Sequence, residues 1–433
     1  MAFSSSDRLS CLSDDLLLQI LSYLDMKKVV QTSVLSKRWR YVWKSLTVLN
    51  LNNQNFTNKL NYEKFIIQVL RDRDRSLSVH KISACYELCY HDEHGLGSWI
   101  LTALSRNTIQ ELHLLLNCRT SNLRYYTSNL VISFIFSYDS LRSLHLESIM
   151  GKIKLKIQLP PLIDLPLLTN LRLTSIHNIS TEFLDKIFSG CPVLESLHLL
   201  NCEVEGSGTK SLTISSRQLK HLVVDIHNLH KSLQFIVVAP NLISFECRHL
   251  HETSDFISKE DVESIITCLE RLSNITSLTL DRSLLKVLSL WPGELRKSQS
   301  PFVFLRYLKL STSIKPDSLP ALIYLLNNSP AIESLAIDIL ERTHWCATIE
   351  DFWEEKLSLQ HLKHVKVKDV QGYASELDFL KFLLKNSPTL EKITIFACKE
   401  LRTYNEGWVK HFTHELLKYP EAPLNVKILF CSM

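Results

Sequence analysis

A group of cysteines and histidines near position 90 carries the residue types that bind zinc. Cys85, Cys89, His91 and His94 follow one another as C-x3-C-x-H-x2-H. This is not the spacing of a zinc finger, and the C-x2-C pair of structural zinc sites is missing. The sequence therefore favours a loop with reduced thiols, with zinc binding as the alternative.

A glycine-containing segment at 206–211 resembles the end of a phosphate-binding loop. The glycine expected before Lys210 is Thr209, however, and the first glycine of that motif is replaced by Val204. A surface turn is predicted instead. The chain also has no G-x-S-x-G elbow and no H-E-x-x-H helix, so we expect no enzymatic reaction, no cofactor and no metal.

Composition narrows the function classes further. Leucine accounts for 78 of 433 residues, glycine for only 9, and the net charge is +4. So small a charge does not indicate nucleic-acid or membrane binding, and no apolar stretch is long enough to span a bilayer. The eleven cysteines are scattered, and no signal peptide is visible at the amino terminus. We expect an intracellular protein, nuclear or cytoplasmic, with mostly buried, reduced thiols.

The elements that must position any binding side chain come from an internal repeat. The pattern apolar-x-x-apolar-x-apolar recurs eleven times between Ile109 and Ile395, with a mean period of about 28 residues. The last two apolar residues of each copy are two apart, so they share one face of a short strand. A strand of three or four residues cannot bury that face alone, whereas stacked copies can.

Helices are predicted between some of the strands, at 182–189, 319–326 and 376–385. Each ends at a Cys-Pro or Ser-Pro step, which cannot continue a helix. The predicted fold class is therefore α/β: a leucine-rich-repeat solenoid with a curved parallel sheet on its concave side and helices outside. The repeats occupy 109–349, after a connecting segment at 47–108.

Residues 7–46 do not fit the repeat. Apolar spacing predicts helices at 14–24, 26–32 and 34–46, the first with Ser13 as its N-cap. So short a bundle exposes more apolar surface than it can cover, which predicts a partner protein.

This segment resembles an F-box, most specifically in the run Ser-Val-Leu-Ser-Lys-Arg-Trp-Arg at 33–40. The chain is similar to plant-type F-box proteins with leucine-rich repeats, and 350–433 resembles the FBD region that ends many of them while continuing the repeats. The resemblance implies a substrate-recognition subunit of a Skp–cullin–F-box ubiquitin ligase. The F-box docks on the Skp-type adaptor, and through it on a cullin, while the repeats bind an unknown target protein. The apolar F-box positions carried over for adaptor binding are Leu9, Leu12, Leu16, Leu17, Ile20, Leu21, Leu24, Val29, Leu35 and Trp39. Some of them must hold the module together and others must face the adaptor, and the sequence does not divide the two groups.

One residue departs from the family pattern. Ser13 stands where the family usually has proline, which removes a rigid apolar contact. The alternative function is therefore a ligase-independent leucine-rich-repeat scaffold whose F-box docks weakly or not at all.

Outward positions of the predicted strands form the candidate surface for the target. They are neutral to basic, which suits an acidic or phosphorylated segment or a small polyanion, although outward positions are also polar simply because they meet water. The lack of interleaved aromatic residues argues against nucleic acid. The candidate residues are His113, His145, Arg172, His198, His221, Tyr307, Lys309 and Lys366.

Overall fold

The structure is a computed structural model that describes most of the chain. The described residues are 12–74, 76–87, 99–100, 102–104, 109–117, 125–127, 135–149, 154–157, 159–204, 211–227, 234–248, 259–297, 302–315, 318–340, 357–398, 412–416, 418–419, 423 and 426–431. Leu9, the segment Cys89–His94 and residues 206–210 lie outside them. The chain forms two compact units, Met1–Cys202 and Glu203–Met433.

The first unit begins with a small helical module, residues 12–46. Helix α1 (Asp14–Leu21) starts at Ser13, whose hydroxyl accepts a hydrogen bond from the Leu16 N–H at 3.4 Å, as predicted for an N-cap. Helix α2 (Met26–Gln31) is capped by Asp25. These caps satisfy backbone donors that a helix leaves unpaired at its first turn.

The third predicted helix is broken into shorter pieces. A 3-10 turn (Thr32–Val34) is followed by helix α3 (Trp39–Val42) and a second 3-10 turn (Trp43–Ser45). The Ser36 hydroxyl accepts from the Trp39 N–H at 3.4 Å, so this serine starts a new helix instead of continuing the previous one.

Polar contacts fix the helical module to the strand that follows it. The Asp25 carboxylate accepts from the Asn52 N–H at 3.0 Å, and the Asn50 amide donates to the Ser22 carbonyl at 2.6 Å. The buried Arg73 guanidinium donates to the Leu46 carbonyl. The helical module is thus packed into the first unit and is not a separate domain.

The first unit contains one row of parallel strands in the order β1, β2, β3, β5, β7, β9, and a second parallel row β4, β6, β8. The strands are β1 (Val48–Leu51), β2 (Lys81–Glu87), β3 (Glu111–Asn117), β4 (Tyr125–Thr127), β5 (Ser143–Ile149), β6 (Lys154–Lys156), β7 (Asn170–Thr174), β8 (Ile176–Ile179) and β9 (Ser196–Val204), with helices α4 (Lys59–Asp72) and α5 (Thr181–Gly190).

The second unit repeats this arrangement, with parallel strands in the order β11, β13, β14, β15, β16, β17, β18, β19 and a separate pair β10–β12. The strands are β10 (Ser211–Ser215), β11 (His221–His227), β12 (Gln234–Val238), β13 (Ser244–Arg248), β14 (Ser277–Leu280), β15 (Tyr307–Thr312), β16 (Ser334–Ile339), β17 (His364–Val370), β18 (Lys392–Ala397) and β19 (Lys427–Cys431). The helices are α6 (Lys259–Glu270), α7 (Arg282–Ser289), α8 (Pro292–Lys297), α9 (Leu319–Asn327) and α10 (Ala374–Asn386).

The apolar ladder of the repeat forms the core of both units. Every copy of the motif coincides with a strand, and all of its apolar side chains are at most 3% exposed. The α/β fold with parallel strands is confirmed. Strand β14 has the expected four residues, whereas the other strands of the motif are longer, up to nine residues in β9. The segment predicted as a connection, 47–108, also supplies two strands, β1 and β2.

The helices between strands agree with the Cys-Pro and Ser-Pro boundaries: α5, α9 and α10 each lie within two residues of the predicted limits. Among the described helices, none has the length and apolar character needed to cross a membrane.

Several cysteines pack in the core as small apolar side chains. Cys191 is 2% exposed, Cys247 is fully buried and Cys268 is 5% exposed. Burial raises the pKa of the Cys191 and Cys268 thiols to about 12 and also raises the pKa of Cys247. These thiols are therefore protonated and unreactive in the folded protein.

Candidate interaction site

The helical module presents an uncovered apolar face. Leu16 and Ile20 lie one turn apart on α1 and are 47% and 44% exposed. Further large apolar side chains are exposed after α1 and around the turn that precedes α3: Tyr23, Leu24, Val34, Leu35 and Tyr41. Water-exposed leucine and isoleucine of this density in so small a module indicate a surface that another protein covers.

The structure divides the ten F-box positions that the resemblance implied for adaptor binding. Leu16, Ile20, Leu24 and Leu35 are exposed, and Leu12 is half-buried. Leu17, Leu21, Val29 and Trp39 are between 0% and 6% exposed and form the core of the module. Which of the ten positions contact the adaptor stays a prediction. Leu9 is not among the described residues.

An arginine fastens the start of α1 to the segment before α3. The Arg38 guanidinium donates to the Asp14 carboxylate through Nε at 2.8 Å and to the Leu12 carbonyl through Nη2 at 2.6 Å. These bonds hold Leu12 and Asp14, the residues on either side of Ser13.

A second candidate surface runs along the outward side of the strands in the first unit. The parallel register places Ser83, His113, His145, Arg172 and His198 in one row across β2, β3, β5, β7 and β9. The four predicted target-face residues of this unit therefore lie side by side. They line a cleft of about 300 Å³ together with polar residues of the preceding row, among them Lys81, Glu111 and Asn170.

His113 and His145 form the tightest contact in this row. Their imidazole rings stack with centroids 4.0 Å apart and planes within 5° of parallel. The Nε2 atoms of His113 and His145 lie 3.5 Å and 3.6 Å from the same Glu147 oxygen. The Nε2 of His145 is also 3.3 Å from the Thr174 hydroxyl.

The electrostatics of the pair favour neutral rings. Burial, then the neighbouring His113, Arg172 and His198, lower the pKa of His145 to about 3. Burial also lowers the pKa of His113, although the Glu147 carboxylate opposes that shift. Both imidazoles are therefore uncharged at neutral pH and each offers a ring nitrogen lone pair.

The second unit carries the other predicted target-face residues in two rows. His221 and Tyr307 share one row, with Ser244 and Ser277 between them. Lys309 and Lys366 share the next row and flank Ala336. All four point away from the core and are exposed or half-buried. Whether they contact a target stays a prediction.

Two acidic residues make the outward faces less basic than the motif positions alone suggest. Glu147 lies beside the histidine pair, and Asp338 binds both Lys309 at 3.1 Å and Lys368 at 3.6 Å. Both lie beyond the three- or four-residue strands that the repeat motif predicts. Continuing the two-residue alternation past His145 and Ala336 would have placed them outward.

Three family models match the chain. An F-box model matches residues 9–51, a model described as "FBD-associated F-box protein At5g56370, LRR repeats" matches 96–262, and an FBD model matches 358–395. The helical module lies within the first match, strands β3 to β13 lie within the second, and β17 with the start of β18 lies within the third. Strands β14, β15 and β16 lie between the second and the third match.

Relatives of similar length come from Arabidopsis thaliana. "Putative F-box/FBD/LRR-repeat protein At5g22670" is 26% identical over 92% of this chain and 93% of the relative. "F-box/LRR-repeat protein At3g03360" is 28% identical over 90% and 84%. "F-box/FBD/LRR-repeat protein At1g13570" is 26% identical over 98% and 99%. The resemblance to F-box proteins with leucine-rich repeats and an FBD region is thereby confirmed.

Proposed function

We propose that this chain, which carries an F-box, leucine-rich repeats and an FBD region, is the substrate-recognition subunit of a Skp–cullin–F-box ubiquitin ligase. The F-box docks on the Skp-type adaptor, the adaptor connects it to a cullin, and the outward strand faces hold the target protein. The chain performs no chemistry itself and contributes proximity between target and ligase. It acts inside the cell, in the nucleus or the cytoplasm.

The exposed apolar face of the F-box is the observation that carries this proposal. Leu16 and Ile20 are accessible although the same short helix buries Leu17 and Leu21 almost completely. Fully burying a leucine or isoleucine side chain contributes about 1.5–3 kcal/mol, so covering these two half-exposed side chains contributes about 0.7–1.5 kcal/mol each to docking.

The test is copurification of the full chain with a Skp-type adaptor. The informative variant is Leu16→Asp/Ile20→Asp, because both side chains are exposed and their replacement leaves the core intact. We expect a stoichiometric complex with the native chain and none with the double variant. Changes at Leu17 or Leu21 would unfold the module and say nothing about docking. Asp15→Ala, at an exposed polar position of the same helix, is the matched control and should bind normally.

A folded native chain that does not bind the adaptor would overturn the ligase function. The ligase-independent scaffold would then take its place, and Ser13 is the feature that favours it. Circular dichroism of the double variant, compared with the native chain, shows whether lost binding reflects docking or unfolding.

The cleft of the first unit is the candidate surface for the target protein. It combines Lys81, His113, His145, Arg172 and His198 with only Glu111 as an acidic lining residue. This composition supports an acidic or phosphorylated segment as the element recognised.

A further inference from the structure

We propose that His113, His145 and Glu147 form a zinc-binding site on the outward strand face of the first unit. The three side chains are brought together by β3 and β5, and each offers one ligand atom within 4.8 Å of the others. Two imidazoles and a carboxylate are a ligand set that Zn²⁺ accepts in proteins. The two histidines are 32 residues apart and follow no metal-binding spacing, so the sequence alone does not indicate this site.

The distances agree with a tetrahedral ion. Zn–N and Zn–O bonds of about 2.0–2.2 Å place tetrahedral ligand atoms about 3.3–3.6 Å from one another. The Nε2 atoms of His113 and His145 are 3.5 Å and 3.6 Å from the Glu147 oxygen. The ring planes are within 5° of parallel, and each Nε2 lone pair lies in its own ring plane, so coordination of one ion requires the rings to tilt toward each other.

The environment of the His113 Nε2 atom supports metal binding. This atom is shielded from solvent, and the acceptor beside it among the described residues, the Glu147 oxygen at 3.5 Å, is too distant for a good hydrogen bond. A buried ring nitrogen without a hydrogen bond costs free energy, and coordination to a metal ion satisfies its lone pair.

The surroundings leave one coordination position open. The cleft of about 300 Å³ lies directly in front of the histidine pair, so water or a side chain of a bound protein can complete the tetrahedron. Two cations are nearby. Lys81 is paired with Glu111 at 2.8 Å, whereas Arg172 is exposed and reduces the attraction for a positive ion. We therefore expect reversible binding rather than a permanently held structural ion.

The experiment titrates Zn²⁺ into the full chain by isothermal calorimetry, with a phosphine reductant to keep the cysteines reduced. His113→Ala/His145→Ala removes two ligands, and Glu147→Gln removes the third while keeping its shape. His198→Ala is the matched control, because it lies in the same row on β9 and its Nε2 already contacts the Ser196 hydroxyl at 3.1 Å. We expect one site that is weakened at least tenfold in the double variant and in Glu147→Gln, and unchanged in His198→Ala.

Cobalt substitution separates this site from cysteine binding. Tetrahedral Co²⁺ held by nitrogen and oxygen gives visible absorption bands without the thiolate charge-transfer band that cysteine ligands produce. The proposal is overturned if the native chain binds no more Zn²⁺ than the double variant, if His198→Ala weakens binding equally, or if the cobalt spectrum shows thiolate ligation. Circular dichroism checks that each variant is folded. If the double variant is unfolded, the Zn²⁺ affinity of Glu147→Gln, which differs from the native residue in one atom type, tests the site. The adaptor experiment is independent of this result.

Discussion

Gly190 packs against Ile163 so closely that a β-carbon on the glycine would lie 2.4 Å from two side-chain carbons of the isoleucine and 2.6 Å from its carbonyl oxygen. Gly190 is the last residue of α5, and its carbonyl accepts a hydrogen bond from the Leu165 N–H at 2.9 Å. The helix end and the segment that leads into β7 therefore fit together only because position 190 has no side chain.

Gly190→Ala is expected to destabilise the first unit by about 1–3 kcal/mol, because neither the Ile163 β-carbon nor its backbone can move aside cheaply. Urea unfolding followed by circular dichroism measures the change. Gly293→Ala is the control, since a β-carbon there meets no atom within 4 Å and alanine suits the helix α8. It should leave stability unchanged or raise it by up to about 1 kcal/mol. Equal effects of the two substitutions would contradict the packing argument.

Truncation of the two adjacent leucines of α1 should change the free energy of unfolding by very different amounts. Leu17 is fully buried, so Leu17→Ala should cost about 2–5 kcal/mol of unfolding free energy. Leu16 is 47% exposed, so Leu16→Ala should stay within about 0.5 kcal/mol. Thermal unfolding of the two variants checks this, and similar losses would mean that the F-box core is arranged differently.

Ser13→Pro should strengthen adaptor docking. Ser13 has φ −66°, which is the value proline adopts, so the backbone accepts the ring. Loss of the hydroxyl cap, about 0.5–2 kcal/mol, is offset by the stiffer unfolded chain, about 0.4–1 kcal/mol. Each CH2 group newly buried against the adaptor contributes about 0.8 kcal/mol, so one or two of them tighten the Kd roughly four- to fifteenfold.

The dissociation constant for the adaptor, measured for Ser13→Pro and for Ser13→Ala, tests this contact. Ser13→Ala removes the cap without adding a ring and should not tighten binding. An unchanged constant in Ser13→Pro would show that the departure from the family pattern does not affect docking.

Glu376 should make the second unit less stable as the pH rises. Its carboxyl group is 3% exposed and accepts hydrogen bonds from the N–H groups of Gln371, Gly372 and Tyr373. Burial raises the pKa of Glu376 to about 7, although those donors oppose the shift. Because the folded pKa exceeds the unfolded value of about 4.5, the stabilising effect of the proton is complete below pH 4.5 and is lost as the pH rises through 7.

The expected loss between pH 5 and pH 8 is on the order of 2–3 kcal/mol. Urea midpoints of the native chain and of Glu376→Gln at both pH values isolate this residue, because other titrating groups are common to both proteins. The difference between the two proteins should change with pH. A constant difference would mean that Glu376 titrates alike in the folded and unfolded chains.

The sequence predicts the repeat well because its signal is local. The spacing of Leu141, Leu144 and Leu146 alone fixes a strand and its buried face, and the same logic works in every copy. The F-box face could not be divided in this way. Leu16 and Leu17 are neighbours of identical type, and which of them faces inward depends on how α1 meets α3.

The histidine pair shows a second limit. His113 and His145 face outward by simple alternation, but their contact depends on the register between β3 and β5, which no local pattern specifies. Predicting that Glu147 lies beside them also requires the true length of β5. The contact between these three potential ligands therefore depends on long-range register and on strand length, which local sequence patterns do not specify.

The buried thiols allow local opening of the repeat stack to be followed in each unit separately. A thiol with a raised pKa inside the core reacts with an alkylating reagent only when its surroundings open. Cys191 reports on the first unit, and Cys247 and Cys268 report on the second. Since a stack of repeats can open locally, the labelling rates of these natural probes give a map of where fraying starts. The same labelling rates, measured with a bound partner present, would show which repeats the partner stabilises against opening.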